Sequence, residues 1–166
     1  MWRSIVQGFS GSLYAVALRM LLDEHEAQDA VQETFLKAFR ARRQLRDTRT
    51  IGGWLRQILI RHCLDKPPRP RADEQDRTWA FVSDTSEASP QSQAASRQEL
   101  DRTLAAVESL PPRQRACLVL TVFEQMNARE IADAMGISHG AVRRYLHEAR
   151  QRLVEITSEP RAEART

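Results

Sequence analysis

Apolar residues recur every three or four positions along most of the chain, a spacing that places side chains on one face of an α-helix. The strict apolar and polar alternation of a half-buried strand is absent. The pattern therefore predicts an all-α protein. It stops between Lys66 and about Gln98, where four prolines and a stretch rich in Ser, Gln and Ala indicate a linker.

This interruption divides the chain into two small helical domains joined by a flexible linker. We expect an N-terminal domain over residues 2–66, the linker over 67–97, a C-terminal domain over 98–157 and a polar tail over 158–166. A linker of this length and composition permits two arrangements of the domains.

The C-terminal block has the spacing of a helix-turn-helix between Ala128 and Leu146. Asn127 and Glu130 can form a capping box at the start of the first helix. Gly136 can supply the left-handed conformation that ends this helix, and Ser138 can cap the second one. The apolar positions should face the core: Ile131, Ala132, Met135, Ile137, Val142, Tyr145 and Leu146.

The second helix of this motif has a polar and basic outer face, made of Ser138, His139, Gly140, Arg143, Arg144, His147 and Arg150. A face of this kind enters the major groove of DNA, where Arg can bind guanine O6 and N7. Groove reading is therefore our interpretation, and an ordinary helical hairpin with a solvated basic face is the alternative. The preceding helix starts with Pro in its first turn and should bury Cys117, Leu118, Leu120 and either Val122 or Phe123.

A helix in the N-terminal block has two contrasting faces. One should be core: Ala27, Ala30, Val31, Thr34, Phe35, Ala38 and Phe39. The opposite face gathers Asp29, Gln32, Glu33 and Leu36. Acidic clusters are usually solvated, but a Leu in the middle of this one indicates a protein partner.

Two stretches resemble group IV (extracytoplasmic-function) sigma factors of the sigma-70 family. The C-terminal sequence SLPPRQRACLVLTVFEQMNAREIADAMGISHGAVRRYLHEARQRL resembles region 4, and DAVQETFLKAF resembles region 2.2. The resemblance implies that region 4 binds the minus-35 promoter element. It also implies that Asp29, Gln32 and Glu33 dock on the polymerase clamp. The implied partners are core RNA polymerase (beta-prime clamp and beta flap), promoter DNA and an anti-sigma factor, with no small-molecule substrate and no cofactor.

The segment between these stretches is strongly basic, with eleven Lys or Arg side chains against two Asp over residues 37–71, as expected of a phosphate-binding surface. The resemblance implies that a loop and helix here capture a flipped base of the minus-ten element and support strand separation. The candidate DNA contacts are Arg43, Arg46, Arg49, Trp54 and Arg61. Trp54 is equally suited to the core, and Ile51 and Arg61 stand where the family usually has an aromatic residue and an Asn.

Composition excludes several other classes of protein. The 166 residues are 42% apolar and 28% charged with a net charge of +3, and no apolar run approaches the ~20 residues of a membrane span. Residues 1–4 lack the features of a secretory signal, so we expect a cytoplasmic protein without direct membrane insertion. Cys63 and Cys117 lie far apart, with no His at ligand spacing, and should be buried reduced thiols.

Two other functions compete with the sigma-factor interpretation. A stand-alone helix-turn-helix regulator would explain the C-terminal half but leave the Gln32 and Glu33 face without a purpose. A metal-dependent nuclease could use Asp23, Glu26, Asp29 and Glu33, but no His or Lys completes a hydrolytic set. We therefore predict a protein that is not an enzyme.

Overall fold

A computed structural model describes residues 2–44, 50–66 and 102–158. These residues form seven α-helices and one 3-10 turn (Arg42–Gln44), with no strand among them, which confirms the all-α prediction. The helices are α1 (Trp2–Leu21), α2 (Glu24–Arg40), α3 (Ile51–Asp65), α4 (102–109), α5 (Pro112–Val122), α6 (Ala128–Met135) and α7 (His139–Ser158). The expected linker, 67–97, and the tail beyond residue 158 lie outside the described residues.

Helices α1, α2 and α3 pack against one another in the N-terminal half. The Asp23 carboxylate accepts a hydrogen bond from the Glu26 backbone N–H at 2.8 Å and so begins α2. The buried Thr34 hydroxyl donates to the Ala30 carbonyl at 2.7 Å, which satisfies this polar group within the helix. The predicted inner face of α2 is confirmed for Ala27, Ala30, Val31, Thr34, Phe35 and Ala38.

Phe39 is the exception, because the prediction that it is a core residue is wrong: its side chain is 44% exposed. It lies in the last turn of α2, opposite the first residue of α1. The Trp2 ring contacts it edge-on at 5.4 Å between centroids, and the Arg42 guanidinium lies 4.2 Å from the ring centre. This edge-on ring contact and the one guanidinium leave much of the Phe39 side chain exposed.

Gly52 permits a close approach between α1 and α3. A Cβ atom at this position would lie 2.8 Å from Cε1 of Phe9, closer than side chains tolerate. The absence of a side chain therefore lets the Phe9 ring pack directly on the first turn of α3. Helix α3 buries Ile51, Leu55, Leu59, Ile60 and Cys63.

Helices α5, α6 and α7 form the C-terminal half, with α7 packed on both of the others. Cys117 and Leu120 are buried as predicted and Leu118 is half-buried. The choice between Val122 and Phe123 is resolved, because Val122 is 57% exposed and Phe123 is half-buried beneath the Arg19 guanidinium.

The two halves are in contact, although the sequence analysis predicted only that a linker joins them. Helix α1 packs on α5 and helix α3 packs on α6. Buried side chains from both halves form one continuous apolar cluster. Over the described residues, no helix is both long enough and apolar enough to cross a bilayer.

Candidate protein- and DNA-binding surfaces

The helix-turn-helix is built by caps and one glycine. The Asn127 side chain accepts from the backbone N–H groups of Arg129 and Glu130 at 3.0 and 3.1 Å. The Glu130 carboxylate accepts from the Asn127 N–H at 2.8 Å, which confirms the capping box. Gly136 has φ +67°, the left-handed conformation predicted for it, and Ser138 Oγ accepts from the Ala141 N–H at 3.1 Å to start α7.

The outer face of α7 points away from the protein. Its exposed residues are those predicted from the sequence: Ser138, His139, Gly140, Arg143, Arg144, His147 and Arg150. The inner face buries Val142 and Ala149 completely. The Arg144 guanidinium lies 5.3 Å from the Tyr145 ring centre, and its Nε is 3.8 Å from Glu148 Oε1. The face is therefore a cationic surface that starts at a helix N-terminus.

Gln114 joins α7 to α5, a role that sequence reasoning missed. The Gln114 side chain is buried on α5, and its Nε2 donates to Glu148 Oε2 on α7 at 2.8 Å. A Gln among Arg and Pro residues at the start of a helix looks solvent-exposed in sequence, and only the packing of α7 on α5 makes it a buried partner.

The face of α2 that was predicted to bind a protein is exposed. Asp29 and Gln32 are exposed, Glu33 is half-buried and Leu36 is 48% exposed. Phe39 lies three residues after Leu36 and extends the apolar part of this surface, which we call the α2 surface (Asp29, Gln32, Glu33, Leu36 and Phe39). It combines acidic and amide groups with two large apolar side chains, as protein-binding surfaces do.

A cleft of about 310 Å³ lies between α2 and α3, lined in part by Lys37, Trp54, Gln57, Arg61 and His62. Lys37 Nζ donates to Nδ1 of His62 at 2.9 Å. Burial, with Lys37 and Lys66 nearby, lowers the pKa of His62, so this imidazole is a neutral acceptor. Trp54 is partly buried against the core and also lines the cleft, and a DNA contact by Trp54 stays a prediction.

The remaining candidate DNA contacts of this half have different surroundings. Arg43 is exposed in the 3-10 turn, whereas Arg46 and Arg49 lie outside the described residues. The Arg61 guanidinium donates from Nε to the Ala134 carbonyl at 3.3 Å and from Nη2 to the Asp133 carbonyl at 3.2 Å. Arg61 thus lines the cleft while it contacts the end of α6.

Two of the four carboxylates considered for a nuclease have structural partners. Asp23 caps α2 and Glu26 pairs with Lys66. Within the described ranges, no three His, Cys, Asp or Glu side chains are grouped so that they could bind a metal ion. Cys63 and Cys117 are free and buried, as predicted, and burial raises the pKa of both thiols to about 12.

Two family models match the chain, sigma-70 region 2 over residues 5–67 and sigma-70 region 4 over residues 100–153. The chain is 32% identical over 155 residues to the ECF RNA polymerase sigma factor SigE of Mycolicibacterium smegmatis, an alignment that covers 92% of this chain and 60% of the relative. It is 32% identical over 148 residues to the RNA polymerase sigma-E factor of Streptomyces coelicolor, which covers 87% of this chain and 78% of that protein. The chain belongs to the sigma-70 family, in its extracytoplasmic-function group.

A solved structure has the same fold. The sigma factor RpoE from Bartonella quintana, crystallised in complex with the anti-sigma factor NepR, superimposes with a TM-score of 0.63 at 17% identity. The superposition covers 96% of this chain and 98% of that one. By the two family matches, the N-terminal half of this chain corresponds to sigma region 2 and the C-terminal half to sigma region 4.

Proposed function

We propose that this chain is an alternative sigma factor, which binds core RNA polymerase and directs initiation at promoters that it recognises. Residues 2–66 dock on the polymerase and act on the minus-ten element, residues 67–97 link the halves, and residues 98–157 bind the minus-35 element. The observation that carries the proposal is that this sigma-family chain exposes two surfaces of contrasting chemistry. The surface on α2 is acidic and apolar, and the surface on α7 is cationic.

Polymerase docking is assigned to the α2 surface. Its exposed Leu36 and Phe39 can be buried on the beta-prime clamp, while Asp29, Gln32 and Glu33 provide hydrogen-bonding groups around them. Apolar anchors surrounded by polar groups are the arrangement that concentrates binding energy at protein interfaces. The beta flap is the second polymerase contact that we expect, through the C-terminal half.

Recognition of the minus-35 element is assigned to the outer face of α7. Arg143 and Arg144 lie in its second turn, where side chains reach base edges once the helix enters the major groove. Arg150, two turns further on, suits a phosphate contact that fixes orientation without reading sequence. Ser138, His139, Gly140 and His147 complete the contact surface.

Recognition of the minus-ten element is assigned to the cleft between α2 and α3. Trp54 offers an aromatic ring for a base, and Arg61 offers a cation for a phosphate or base edge. Loss of stacking on base flipping costs a few kcal/mol, which such contacts can offset. Arg43, Arg46 and Arg49 add phosphate contacts before the cleft.

The proposal includes regulation by an anti-sigma factor, as in the Bartonella quintana complex. Such a partner would cover the polymerase- and DNA-binding surfaces. The protein would act in the cytoplasm, where polymerase and promoter are found, and would perform no chemical reaction itself.

The test compares two variants in a reconstituted holoenzyme, one on α2 and one on α7. Each is measured for core binding and for promoter discrimination. Gln32→Ala with Glu33→Ala should weaken core binding at least tenfold and leave the helical circular dichroism unchanged, because both positions are on the surface of α2. Arg143→Ala should spare core binding and reduce promoter discrimination by about 1 to 3 kcal/mol if this Arg makes a bidentate base contact.

Arg152→Ala is the matched control for Arg143→Ala, because Arg152 is exposed further along α7 and should affect all DNA sequences equally. Normal core binding by the α2 pair would refute the docking assignment. Sequence-specific DNA binding with no core binding by the wild-type chain would favour a stand-alone regulator.

A further inference from the structure

Arg144, on the outer face of α7, is held in place by two neighbours on its own helix. Its Nε lies 3.8 Å from Oε1 of Glu148, one turn further along. Its guanidinium carbon lies 5.3 Å from the centre of the Tyr145 ring. An exposed Arg has many rotamers available to it, and these two contacts restrict the choice. Arg144 is therefore oriented before any DNA arrives.

Glu148 is itself fixed from α5. Its second oxygen, Oε2, accepts a hydrogen bond from Gln114 Nε2 at 2.8 Å. Gln114 lies in the first turn of α5, where the helix dipole favours a nearby carboxylate. Hydrogen bonds to a charged group are stronger than those between neutral groups. The two oxygens of Glu148 thus have separate partners, since one anchors the carboxylate on α5 and the other faces Arg144.

The buried amide of Gln114 shows that this anchor is specific. Gln114 is 7% exposed, and its Oε1 is buried without a hydrogen-bond partner among the described residues. A buried polar atom without a partner is destabilising. The opposite orientation of the amide would place Oε1 against the Glu148 carboxylate, which has no proton to donate. The amide therefore keeps one unpaired oxygen in order to hold Glu148.

We propose that Glu148, anchored by Gln114, determines promoter specificity by positioning Arg144 for a guanine edge and by repelling the phosphate backbone. The inference rests on the proposed function of α7. The ion pair engages Nε of Arg144, so the terminal Nη groups can extend to O6 and N7 of a guanine in the major groove. Glu148 is thus a positioning residue, which acts through Arg144.

The charge of Glu148 also acts against DNA of other sequences. Helix α7 carries four Arg but only two acids, Glu148 and Glu155, and the Glu148 side chain is 40% exposed. A carboxylate near DNA phosphates lowers the affinity for every sequence, whereas an oriented Arg raises it only where its base is present. Specificity is the difference between these affinities, so both effects increase it.

In vitro selection with the reconstituted holoenzyme tests this role. The DNA is a duplex library randomised over the minus-35 region. The readouts are the base enriched at each position and the affinity for the unselected library. We expect the wild-type chain to enrich a guanine that Arg144→Ala no longer enriches.

Glu148→Gln removes the charge and keeps an acceptor for Gln114 Nε2. This variant should reduce the enrichment of the same guanine roughly threefold to fivefold, because Arg144 loses its ion-pair partner. It should also raise the affinity for the unselected library about twofold, because a charge that repels phosphates is gone. A contact that only held α7 on α5 would lower both quantities when lost.

Two further variants separate the anchor from the charge. Gln114→Met keeps the length of the side chain but cannot donate, so it should reduce the guanine enrichment without raising the affinity for the library. Glu155→Gln removes the other acid of α7, two turns further on at an exposed position, and is the matched control. It should leave the selected sequence unchanged. Circular dichroism of each variant excludes unfolding as the cause.

A double variant shows whether Glu148 acts through Arg144. In an Arg144→Ala background, Glu148→Gln should change no position of the selected sequence. If it still does, the positioning role is overturned, and a Glu148→Gln selection identical to that of the wild type overturns it as well. A wild-type holoenzyme that enriches no minus-35 sequence would instead refute the proposed function, and this inference with it.

Discussion

The two halves of the molecule hold their functional surfaces in different ways. In the C-terminal half, the caps that begin α6 and α7 join residues within three positions of each other, as in the Asn127 and Glu130 box and the Ser138 cap, and one long-range bond, from Gln114 to Glu148, joins α5 to α7. In the N-terminal half, the cleft depends on the Lys37–His62 bond, which joins residues 25 positions apart. The helix proposed to read duplex DNA thus begins at local caps, whereas the cleft proposed for single-stranded DNA rests on packing between helices.

The two variants with the largest expected effect test whether the two halves also differ in how they fold. Leu59→Ala and Ile131→Ala each remove a fully buried side chain, one from each half, and each should lower the free energy of unfolding by about 2 to 5 kcal/mol. Because both residues belong to one apolar cluster, both variants should shift a single transition in urea, followed by circular dichroism. Two separate transitions, each sensitive to only one variant, would show that the halves fold independently.

A smaller effect contrasts one glycine from each half. Gly136→Ala places a side chain at φ +67° and should lower the free energy of unfolding by about 1 to 2 kcal/mol. Gly53→Ala in the first turn of α3 meets open space and should raise it by up to about 1 kcal/mol. Equal effects of the two variants in thermal or urea unfolding would contradict the view that the left-handed conformation of Gly136 helps to define the helix-turn-helix.

The smallest expected effect concerns the long-range bond of the N-terminal half. The pKa of His62 is lowered from 6.5 in the folded chain, so the unfolded chain binds a proton at higher pH than the folded one. Stability should therefore fall as the pH drops from about 7 through 6.5. Since His62 is only half-buried, this loss should be less than about 1 kcal/mol after solvent screening.

His62→Gln should flatten the unfolding free energy measured between pH 7.5 and 5.5. Lys37→Gln should flatten it only in part, because burial is the first cause of the shift and the Lys37 charge is the second. A wild-type curve no steeper than that of His62→Gln would remove His62 from this account.

The same contrast between local and long-range contacts explains which features of the structure could be predicted from the sequence alone. The caps, Gly136 and the exposed residues of α7 were predictable because each depends on a few neighbouring positions. Phe39, Gln114 and Arg61 were not, since their surroundings come from other helices: Trp2, Glu148 and the end of α6. Periodicity assigns a residue to a face of its own helix, but it does not say which element covers that face.

Run-off transcription is the most direct test of the central claim that α2 binds polymerase while α7 selects the promoter. With core enzyme, the wild-type chain and a genomic template library, we expect transcripts that start at a defined set of sites. Gln32→Ala with Glu33→Ala should abolish these transcripts, whereas Arg143→Ala should spread initiation over more sites. No specific start with the wild-type chain, in the absence of any inhibitor, would contradict the account.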